Sequence, residues 1–150
     1  MTVMINAASD GDAAEIAGVF VRSRAVLAFL PDLHSAEEQA AFIRDFVCPA
    51  QTVIVARVEG RIAGFVATTP GWVEHLYIDP ACLRRGLGRA LLNATKARDD
   101  SLQLWCFQQN TGALKFYVSE GFSEVRRTDG SGNMERCPDV LLTWWRSSGK

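Results

Sequence analysis

The chain has 150 residues, a length typical of one domain with a sizeable hydrophobic core. Its 16 basic and 17 acidic side chains leave a net charge of −1, which argues against a broad nucleic-acid surface. No apolar run is long enough for a membrane span and no signal-peptide pattern opens the chain, so we expect a cytoplasmic protein that binds neither membrane nor nucleic acid. The four cysteines lack Cys-x-x-Cys spacing, and we interpret them as reduced thiols without a metal.

A short strand and a long helix are predicted at the start of the chain. Residues 2–7 form the strand, and either Ser9 or Asp10 caps the helix, which extends to about Phe29. Helical periodicity divides the side chains of this helix into two sets. The apolar face contains Ile16, Phe20 and Leu27, and the positions assigned away from it are Arg22 and Arg24.

A second helix is predicted after a break at residues 30–34. Ser35 begins it, and Glu38 three residues later completes a capping box. Its predicted apolar face comprises Phe42, Ile43, Phe46 and Val47. We interpret the charged side chains of the preceding loop and first turn as solvated, since loops mostly lie at the surface; they are Asp32, His34, Glu37 and Glu38.

Three β-rich runs follow in direct succession: Thr52–Val58, residues 61–67 and Trp72–Ile78. Glu59-Gly60 joins the first two as a hairpin, and residues 69–71 form the next turn. The three strands are therefore predicted to form an antiparallel meander. This order argues against a doubly wound nucleotide-binding fold, in which strands alternate with helices.

The remaining elements alternate between helix and strand. A helix is predicted up to about Ala97, a strand at residues 102–107, and a helix from Asn110 or Thr111 to about Glu120 with Gly121 as its C-terminal cap. Two further strands, at residues 122–125 and at Asp139–Trp145, flank a polar loop at residues 128–133. Because a helix connects Trp72–Ile78 to residues 102–107, these two strands should be parallel. No repeat or linker divides the chain, and one domain covers residues 1–150.

A candidate phosphate-binding loop lies between a strand and a helix. It reads Arg84-Arg85-Gly86-Leu87-Gly88-Arg89, and good helix formers follow it at once. Glycines at such a junction permit close approach to a ligand, and the free N–H groups and dipole of the helix favour an anion. A tight turn would also explain two glycines. The third glycine of a Rossmann site is replaced by Leu91, and no P-loop Gly-Lys-Ser/Thr occurs.

Two sequence blocks resemble the GNAT superfamily of acyl-CoA N-acyltransferases. The first is Leu76-Tyr77-Ile78-Asp79-Pro80 followed by Arg85-Gly86-Leu87-Gly88, and the second is Asn110, Ala113, Phe116-Tyr117 and Gly121-Phe122. The resemblance covers roughly residues 2–126 by the length prior for one domain. The chain departs from the family signature at Leu83, where family members carry Gln or Arg. A backbone cradle for phosphate does not need that side chain.

The resemblance implies an α+β (mixed α/β) GNAT fold, with a central mixed, largely antiparallel, splayed sheet flanked by helices. The amide-rich pantetheine arm of acetyl-CoA would occupy the slot between the splayed strands like an extra strand. No metal takes part. The implied cofactor-binding residues are Leu76, Tyr77, Ile78, Arg84, Arg85, Gly86, Leu87, Gly88, Arg89, Asn110 and Tyr117. The implied partner is a small-molecule or peptide amine selected at residues 30–38, and a homodimer is left open.

The reaction implied is direct attack of a neutral amine on the thioester. The backbone N–H at Leu76 would stabilise the carbonyl oxygen, and the Tyr117 hydroxyl would protonate the departing thiolate. Tyr117 could instead be a core aromatic, and Asn110 could be a helix cap as well as a cofactor ligand. The alternative functions are transfer of a different acyl group and an acyl-CoA-binding sensor or interaction module without turnover.

The catalytic base is predicted within the strand Trp72–Ile78. Alternation places Trp72, Glu74, Leu76 and Ile78 on one face, and Val73, His75 and Tyr77 on the other. In family members that take a base from this strand, it often lies on the face of Glu74, so the resemblance favours Glu74, acting directly or through water. His75 has a convenient intrinsic pKa but the less favoured face, and a water chain without a side-chain base is the third alternative.

Overall fold

A seven-stranded sheet forms the centre of the protein, for which the computed structural model describes residues 2–147. The strands are β1 (Val3–Ala7), β2 (Thr52–Val58), β3 (Arg61–Thr69), β4 (Trp72–Ile78), β5 (Ser101–Phe107), β6 (Ser123–Thr128) and β7 (Asp139–Trp145). Their spatial order is β1-β2-β3-β4-β5-β7-β6. Only β4 and β5 pair in parallel among these strands, and every other pair is antiparallel. The predicted meander and mixed sheet are confirmed.

Helices cover both faces of this sheet. They are α1 (Ala13–Ala25), α2 (Ala36–Phe42), α3 (Cys48–Ala50), α4 (Leu87–Lys96) and α5 (Thr111–Ser119). Short 3-10 turns precede α1 and α4, and a π-helical segment, Ile43–Val47, links α2 to α3. Within residues 2–147, no helix is long and apolar enough to cross a membrane.

Two buried clusters pack against the opposite faces of the sheet. On one face, α1 contributes Ile16 and the π-helical segment contributes Ile43 against Phe65 of β3. On the other face, α4 contributes Leu91 and packs near Leu142 of β7. Each of these side chains is fully buried, so both helical layers are fixed by apolar packing.

The first helix ends four residues earlier than predicted. Its last residue is Ala25, and the N–H of Leu27 donates to the carbonyl of Arg24 at 3.0 Å in a turn that leaves the helix axis. The Phe29 ring then packs edge-on against Phe107 of β5, with ring centroids 5.6 Å apart. No glycine or proline lies at Ala25 or among residues 26–30, so no local stop signal marks this end.

The predicted side of Arg24 is also wrong. Arg24 follows Phe20 by four residues, so both lie on the same face of α1. Its guanidinium carbon lies 5.4 Å from the Phe20 ring centroid, and only 18% of its side chain is exposed. Arg24 therefore points toward the sheet, whereas Arg22 is 55% exposed as expected for an outward position.

The capping box of α2 is confirmed, but half of its predicted apolar face is exposed. The N–H of Glu38 donates to Ser35 Oγ at 3.1 Å, and the N–H of Ser35 donates to Glu38 Oε1 at 2.7 Å. Ile43 and Val47 are buried, while the Phe42 and Phe46 side chains are 43% and 69% exposed. Ile43 and Val47 form one i, i+4 row, which faces the core, and Phe42 and Phe46 form the neighbouring row at its edge.

Strand ends differ slightly from the prediction. β3 continues to Thr69, and β6 runs from Ser123 to Thr128 because the buried Phe122 precedes the strand and packs into the core. Gly121 has φ = +96°, which confirms the predicted glycine at the end of α5.

Candidate active site

The sheet opens between β4 and β5. The only register pair between these two strands joins Trp72 and Gln103, and the Gln103 N–H donates to the Gly71 carbonyl at 2.8 Å. Beyond this point, β4 stays paired with β3 and β5 stays paired with β7. The two strands therefore diverge toward their C-terminal ends, which confirms the predicted splayed sheet.

Backbone groups of Leu76 face this slot. The Asp79 N–H donates to the Ala63 carbonyl on β3 at 2.7 Å, which fixes the alternation of hydrogen-bonded pairs along β3 and β4. By that alternation His75 and Tyr77 bond toward β3, while Leu76 and Ile78 direct their backbone groups away from it. The Ile78 carbonyl accepts the Ser23 hydroxyl at 3.0 Å. Leu76 has no strand partner on the slot side among residues 2–147.

The backbone groups of β5, on the opposite wall of the slot, also alternate between the two sides of the strand. The Gln108 N–H donates to the Pro138 carbonyl at 2.8 Å, so the even-numbered residues of β5 bond toward β7. Trp105 and Phe107 therefore direct their backbone groups toward β4. Two diverging edges with available N–H and C=O groups suit an extended, amide-containing ligand, which can pair with both.

A β-bulge at Glu74 determines which residues face the slot. Ala67 pairs with His75 and Thr68 pairs with Val73, so Glu74 is an extra residue in β4. The predicted common face of Trp72, Glu74, Leu76 and Ile78 is wrong, because strict alternation does not survive a bulge. Val73 instead belongs to the buried cluster against which Leu76 and Ile78 pack.

Glu74 lies at the surface beside the slot. Its side chain is exposed, and Oε2 accepts a hydrogen bond from Thr69 Oγ1 at 2.7 Å. The bulge separates Glu74 from the regular strand positions. Its role as a base remains a prediction that depends on the approach of substrate or water.

His75 lies among aromatic rings. The ring centroids of Phe20 and Phe42 lie 5.9 and 5.8 Å from that of His75. The pKa of His75 is lowered to about 4, mainly by burial; the negative charge of Glu74 opposes this shift, and the positive charge of Arg24 adds to it. The imidazole is therefore neutral near pH 7 and a weaker base than an ordinary histidine.

The glycine-rich loop has the geometry of an anion cradle. Arg84 and Gly86 both have positive φ, +64° and +75°, which turns the chain sharply into α4. The first hydrogen bond at this end runs from the Ala90 N–H to the Gly86 carbonyl at 3.1 Å. The N–H groups of Leu87, Gly88 and Arg89 precede it and have no carbonyl partner within the helix, at the positive end of the helix dipole.

The two glycines of this loop have different structural roles. Gly86 adopts a left-handed backbone conformation, and a Cβ built there meets no atom within 4 Å. A Cβ on Gly88 would lie 3.2 Å from Phe116 Cζ, so this glycine permits close packing of α4 on α5. Leu87 is buried and anchors the helix, while Arg89 pairs with Glu120 at 3.0 Å.

The predicted cofactor and acid residues of α5 are buried or partly buried. Asn110 Oδ1 accepts a hydrogen bond from the Ala113 N–H at 3.3 Å, which confirms its capping role. Tyr117 is 8% exposed, and its ring contacts those of Phe116 and Phe122. Burial raises the pKa of Tyr117, as do Cys106 and Tyr77 nearby, so its hydroxyl stays protonated. Tyr117 is thus a core aromatic that still carries a proton to donate.

A chain of polar contacts next to β4 was not indicated by any sequence pattern. Arg24 Nη1 donates to the Tyr77 hydroxyl at 3.3 Å, and Arg24 Nη2 donates to Glu135 Oε2 at 3.3 Å. These contacts connect α1, β4 and the β6–β7 loop. The four-residue spacing from Phe20 to Arg24 is the one signal that could have revealed the inward arginine.

Two cavities lie on the α1–α2 side of this chain. The β5 cavity, of about 560 Å³, is lined among others by Trp105, Phe107, Glu135 and Asp139. The α1–α2 cavity, of about 640 Å³, is lined by residues 30–36 together with others that include Arg24 and Gln39. His34 Nε2 lies 3.4 Å from Met134 Sδ, so the loops above both cavities touch. The segment predicted to select the acceptor thus borders a cavity.

Residues 49–124 match the family described as Acetyltransferase (GNAT) domain, and this segment contains both the slot and the glycine-rich loop. The chain belongs to the GNAT acetyltransferase family. It is 34% identical over 68 residues to peptidyl-lysine N-acetyltransferase YiaC of Escherichia coli (strain K12). That alignment covers 45% of this chain and 47% of the relative, so it spans less than half of the relative's length.

Solved GNAT structures share the fold along nearly the whole chain. The solution structure of apo YjaB from Escherichia coli superposes with a TM-score of 0.80 at 24% identity, covering 98% of this chain and 100% of YjaB. The paiA N-acetyltransferase of Thermoplasma acidophilum, solved in complex with coenzyme A, has a TM-score of 0.75 at 19% identity, covering 97% and 99%. At these identities the likeness establishes the fold.

We expect Gly86→Val to weaken CoA binding. A β-branched residue in the left-handed region costs about 1–2 kcal/mol and would displace the N–H groups of the loop. About 1.4 kcal/mol corresponds to a tenfold change in affinity, so calorimetric titration should show a loss of roughly tenfold or more. Gly60→Val is the matched control, because Gly60 has φ = +80°, is equally uncrowded and lies in the β2–β3 turn.

Arg85→Glu should also weaken CoA binding, by placing a negative charge beside the phosphates. Equal affinities in wild type, Gly86→Val and Arg85→Glu would refute a phosphate site here.

His75 should make stability depend on pH. Its folded-state pKa of about 4 lies below the ordinary value of 6.5, so the unfolded chain binds more protons between these values. Stability should therefore decrease as the pH falls from about 6.5 toward 4. His75→Phe fills the space among the aromatic rings and should reduce the loss of melting temperature between pH 6.5 and 4. The variant His34→Gln, at an exposed site, should show the same loss as the wild type. An unchanged pH dependence in His75→Phe would contradict the assignment.

Proposed function

We propose that the protein transfers the acetyl group of acetyl-CoA to a primary amine, which attacks the thioester directly. The observation that carries this proposal is the divergence of β4 and β5, which leaves the backbone of Leu76 unpaired toward the slot. The amide-containing pantetheine arm fits between such edges. The glycine-rich loop at the end of the same strand supports binding of the pyrophosphate.

The two substrates would approach from opposite faces of the sheet. The phosphate loop begins α4, which packs on the face containing Leu91, whereas both cavities lie on the face covered by α1 and α2. The slot is the passage between these faces. An amine entering from the cavities would meet the thioester within the slot, as a direct transfer requires.

The chemistry assigns separate tasks to three groups. The neutral amine nitrogen bonds to the carbonyl carbon, the carbon–sulfur bond breaks, the nitrogen loses a proton to solvent as the amide forms, and the thiolate of CoA takes a proton. The Leu76 N–H is directed toward the slot and would stabilise the negative carbonyl oxygen. The Tyr117 hydroxyl would supply the proton to the thiolate, and Glu74 would remove one from the acceptor ammonium, directly or through water.

Among acceptors, we favour the side chain of a peptide lysine. The E. coli relative YiaC and the relative YjaB of Salmonella typhimurium, 27% identical over 101 residues, are both named peptidyl-lysine N-acetyltransferases. Small amines would fit the same reaction. A longer acyl group remains an alternative donor.

Release of free thiol from acetyl-CoA in the presence of amines tests the proposal. We expect release that requires both protein and an amine, with a lysine-containing peptide among the accepted amines. Propionyl-CoA serves as the parallel donor and identifies an altered acyl preference. Tight CoA binding without amine-dependent thiol release from either donor would instead identify a sensor or interaction module.

Tyr117→Phe should lower kcat and leave CoA affinity nearly unchanged. Phenylalanine retains the ring that packs against Phe116 and Phe122 and removes only the hydroxyl group. General acid catalysis typically contributes ~10²–10⁴-fold, so steady-state kinetics should show a loss in this range. Wild-type turnover in this variant would make Tyr117 a core residue without a catalytic role.

Glu74→Gln should lower kcat and move the rising limb of the pH–rate profile to higher pH. The amide can still accept from Thr69 Oγ1 but cannot take a proton, so loss of a base differs from loss of binding, which raises KM alone. His75→Gln is the comparison variant and should leave the profile near that of wild type. A silent Glu74→Gln together with a lost rising limb in His75→Gln would assign the base to His75.

A further inference from the structure

We infer that Glu135 binds the ammonium group of the acceptor and thereby selects cationic amines carried on a methylene chain. This inference rests on the proposed function and names a residue that determines its substrate class. Glu135 lies in the β6–β7 loop, outside both family motifs, and lines the β5 cavity. Its side chain is 23% exposed, so a ligand in the cavity can reach it.

The β5 cavity is in the right place for an acceptor. It is lined by Cys106 and Phe107 at the end of β5, where this strand forms one wall of the slot. Trp105 and Phe107 alternate along β5 with Leu104, which belongs to the buried cluster of α4, so their rings and the cavity lie on the opposite face, away from the phosphate loop. A primary amine at the inner end of this cavity would therefore be next to a thioester held in the slot.

Three carboxylates line the two cavities, and they differ in the hydrogen bonds that their oxygens already accept. Asp139 is 9% exposed, accepts the Thr128 hydroxyl, and accepts Asn133 Nδ2 at 3.1 Å, so it fixes the conformation of the loop. Asp32 lies on an exposed loop at the outer side of the α1–α2 cavity. Glu135 has one oxygen bonded to Arg24, and its Oε1 accepts no hydrogen bond within the described part of the chain. Oε1 of Glu135 is therefore free to accept an N–H from a ligand.

Arg24 positions this carboxylate. The guanidinium is fixed over the Phe20 ring and bonded to the Tyr77 hydroxyl, so its own position is determined by α1 and β4. Its single contact with Glu135 Oε2, at 3.3 Å, directs the loop carboxylate without occupying both oxygens. A carboxylate can accept from two cations through its two oxygens, and an ammonium at Oε1 would complete that arrangement.

The walls of the cavity favour a methylene chain behind the ammonium. Trp105 and Phe107 present aromatic surface next to Glu135. The Trp105 ring is covered on one side by the Arg126 guanidinium, 5.6 Å from its centroid, so this ring is a poor site for a second cation. The cation is thus directed to Glu135, and the apolar chain that carries it can pack against the rings.

Binding to the CoA-loaded protein tests the assignment without requiring turnover. Calorimetry would compare Nα-acetyl-lysine amide with Nα-acetyl-norleucine amide, which retains the methylene chain but lacks the ammonium. Glu135→Gln should weaken the lysine ligand by roughly tenfold or more and leave the norleucine ligand unchanged. In kinetics, the same variant should raise KM for the amine more than it lowers kcat. Equal affinity of wild type and Glu135→Gln for the lysine ligand, or failure of the wild type to bind it, would overturn the assignment.

Two further variants separate recognition from loop structure. Arg24→Gln breaks the same ion pair but keeps the carboxylate, so it should weaken the lysine ligand less than Glu135→Gln does. Equal losses in both variants would assign Glu135 a purely structural role, and a loss confined to Asp32→Asn would move the anchor to the α1–α2 cavity. Amine binding by a wild-type protein that releases no thiol would refute the proposed enzyme while retaining the binding site.

Discussion

The divergence of β4 and β5 after a single parallel pair is the constraint on which the rest of the site depends. Each strand remains paired on its outer side, β4 with β3 and β5 with β7, so the opening does not unravel the sheet. Contacts from α1 hold the end of β4 in place. Arg22 bonds Asp79 at 2.7 Å, and the Ser23 hydroxyl bonds the Ile78 carbonyl at 3.0 Å. The slot is thus held open by the fold, and its backbone groups can pair with a ligand that contains amides.

The bulge at Glu74 connects this architecture to chemistry. Without the extra residue, the alternation established by Trp72 and Val73 would place the backbone of His75 and Tyr77 toward the slot. The bulge shifts this alternation, so Leu76 faces the slot at the proposed level of the thioester. The same bulge separates Glu74 from the regular side-chain positions. One inserted residue therefore supports both the proposed oxyanion donor and the proposed base.

Charge is distributed differently at the two ends of the proposed reaction path. The proposed phosphate loop places backbone N–H groups at the start of α4, where the helix dipole favours an anion. Beneath the slot, Arg24 and Glu135 form a mostly buried pair, and neighbouring burial keeps His75 neutral. This arrangement leaves the free oxygen of Glu135 as an attractive contact for a cationic acceptor. Anionic cofactor and cationic amine are thus expected at different faces.

Local signals predicted most of the fold. The hairpin at Glu59-Gly60, the Ser35 capping box and the glycine-rich loop each depend on a few adjacent residues, and the structure contains all three. Features determined by partners distant in sequence were not predictable in this way. The bulge is a property of two strands together, the segment after α1 packs Phe29 against Phe107, and Glu135 contacts Arg24 across 111 residues. The roles of Tyr117 and Glu74 depend on substrates as well as on position.

Hydrogen–deuterium exchange with CoA and with 3′-phosphoadenosine diphosphate, which lacks the pantetheine arm, tests the central claim most directly. Both ligands should protect the amides of Leu87, Gly88 and Arg89 if the loop binds the pyrophosphate. CoA alone should also protect the slot-facing amides of Leu76 and Phe107, because only the pantetheine arm can pair with them. Protection of Leu76 and Phe107 by both ligands or by neither would contradict binding of the arm between β4 and β5.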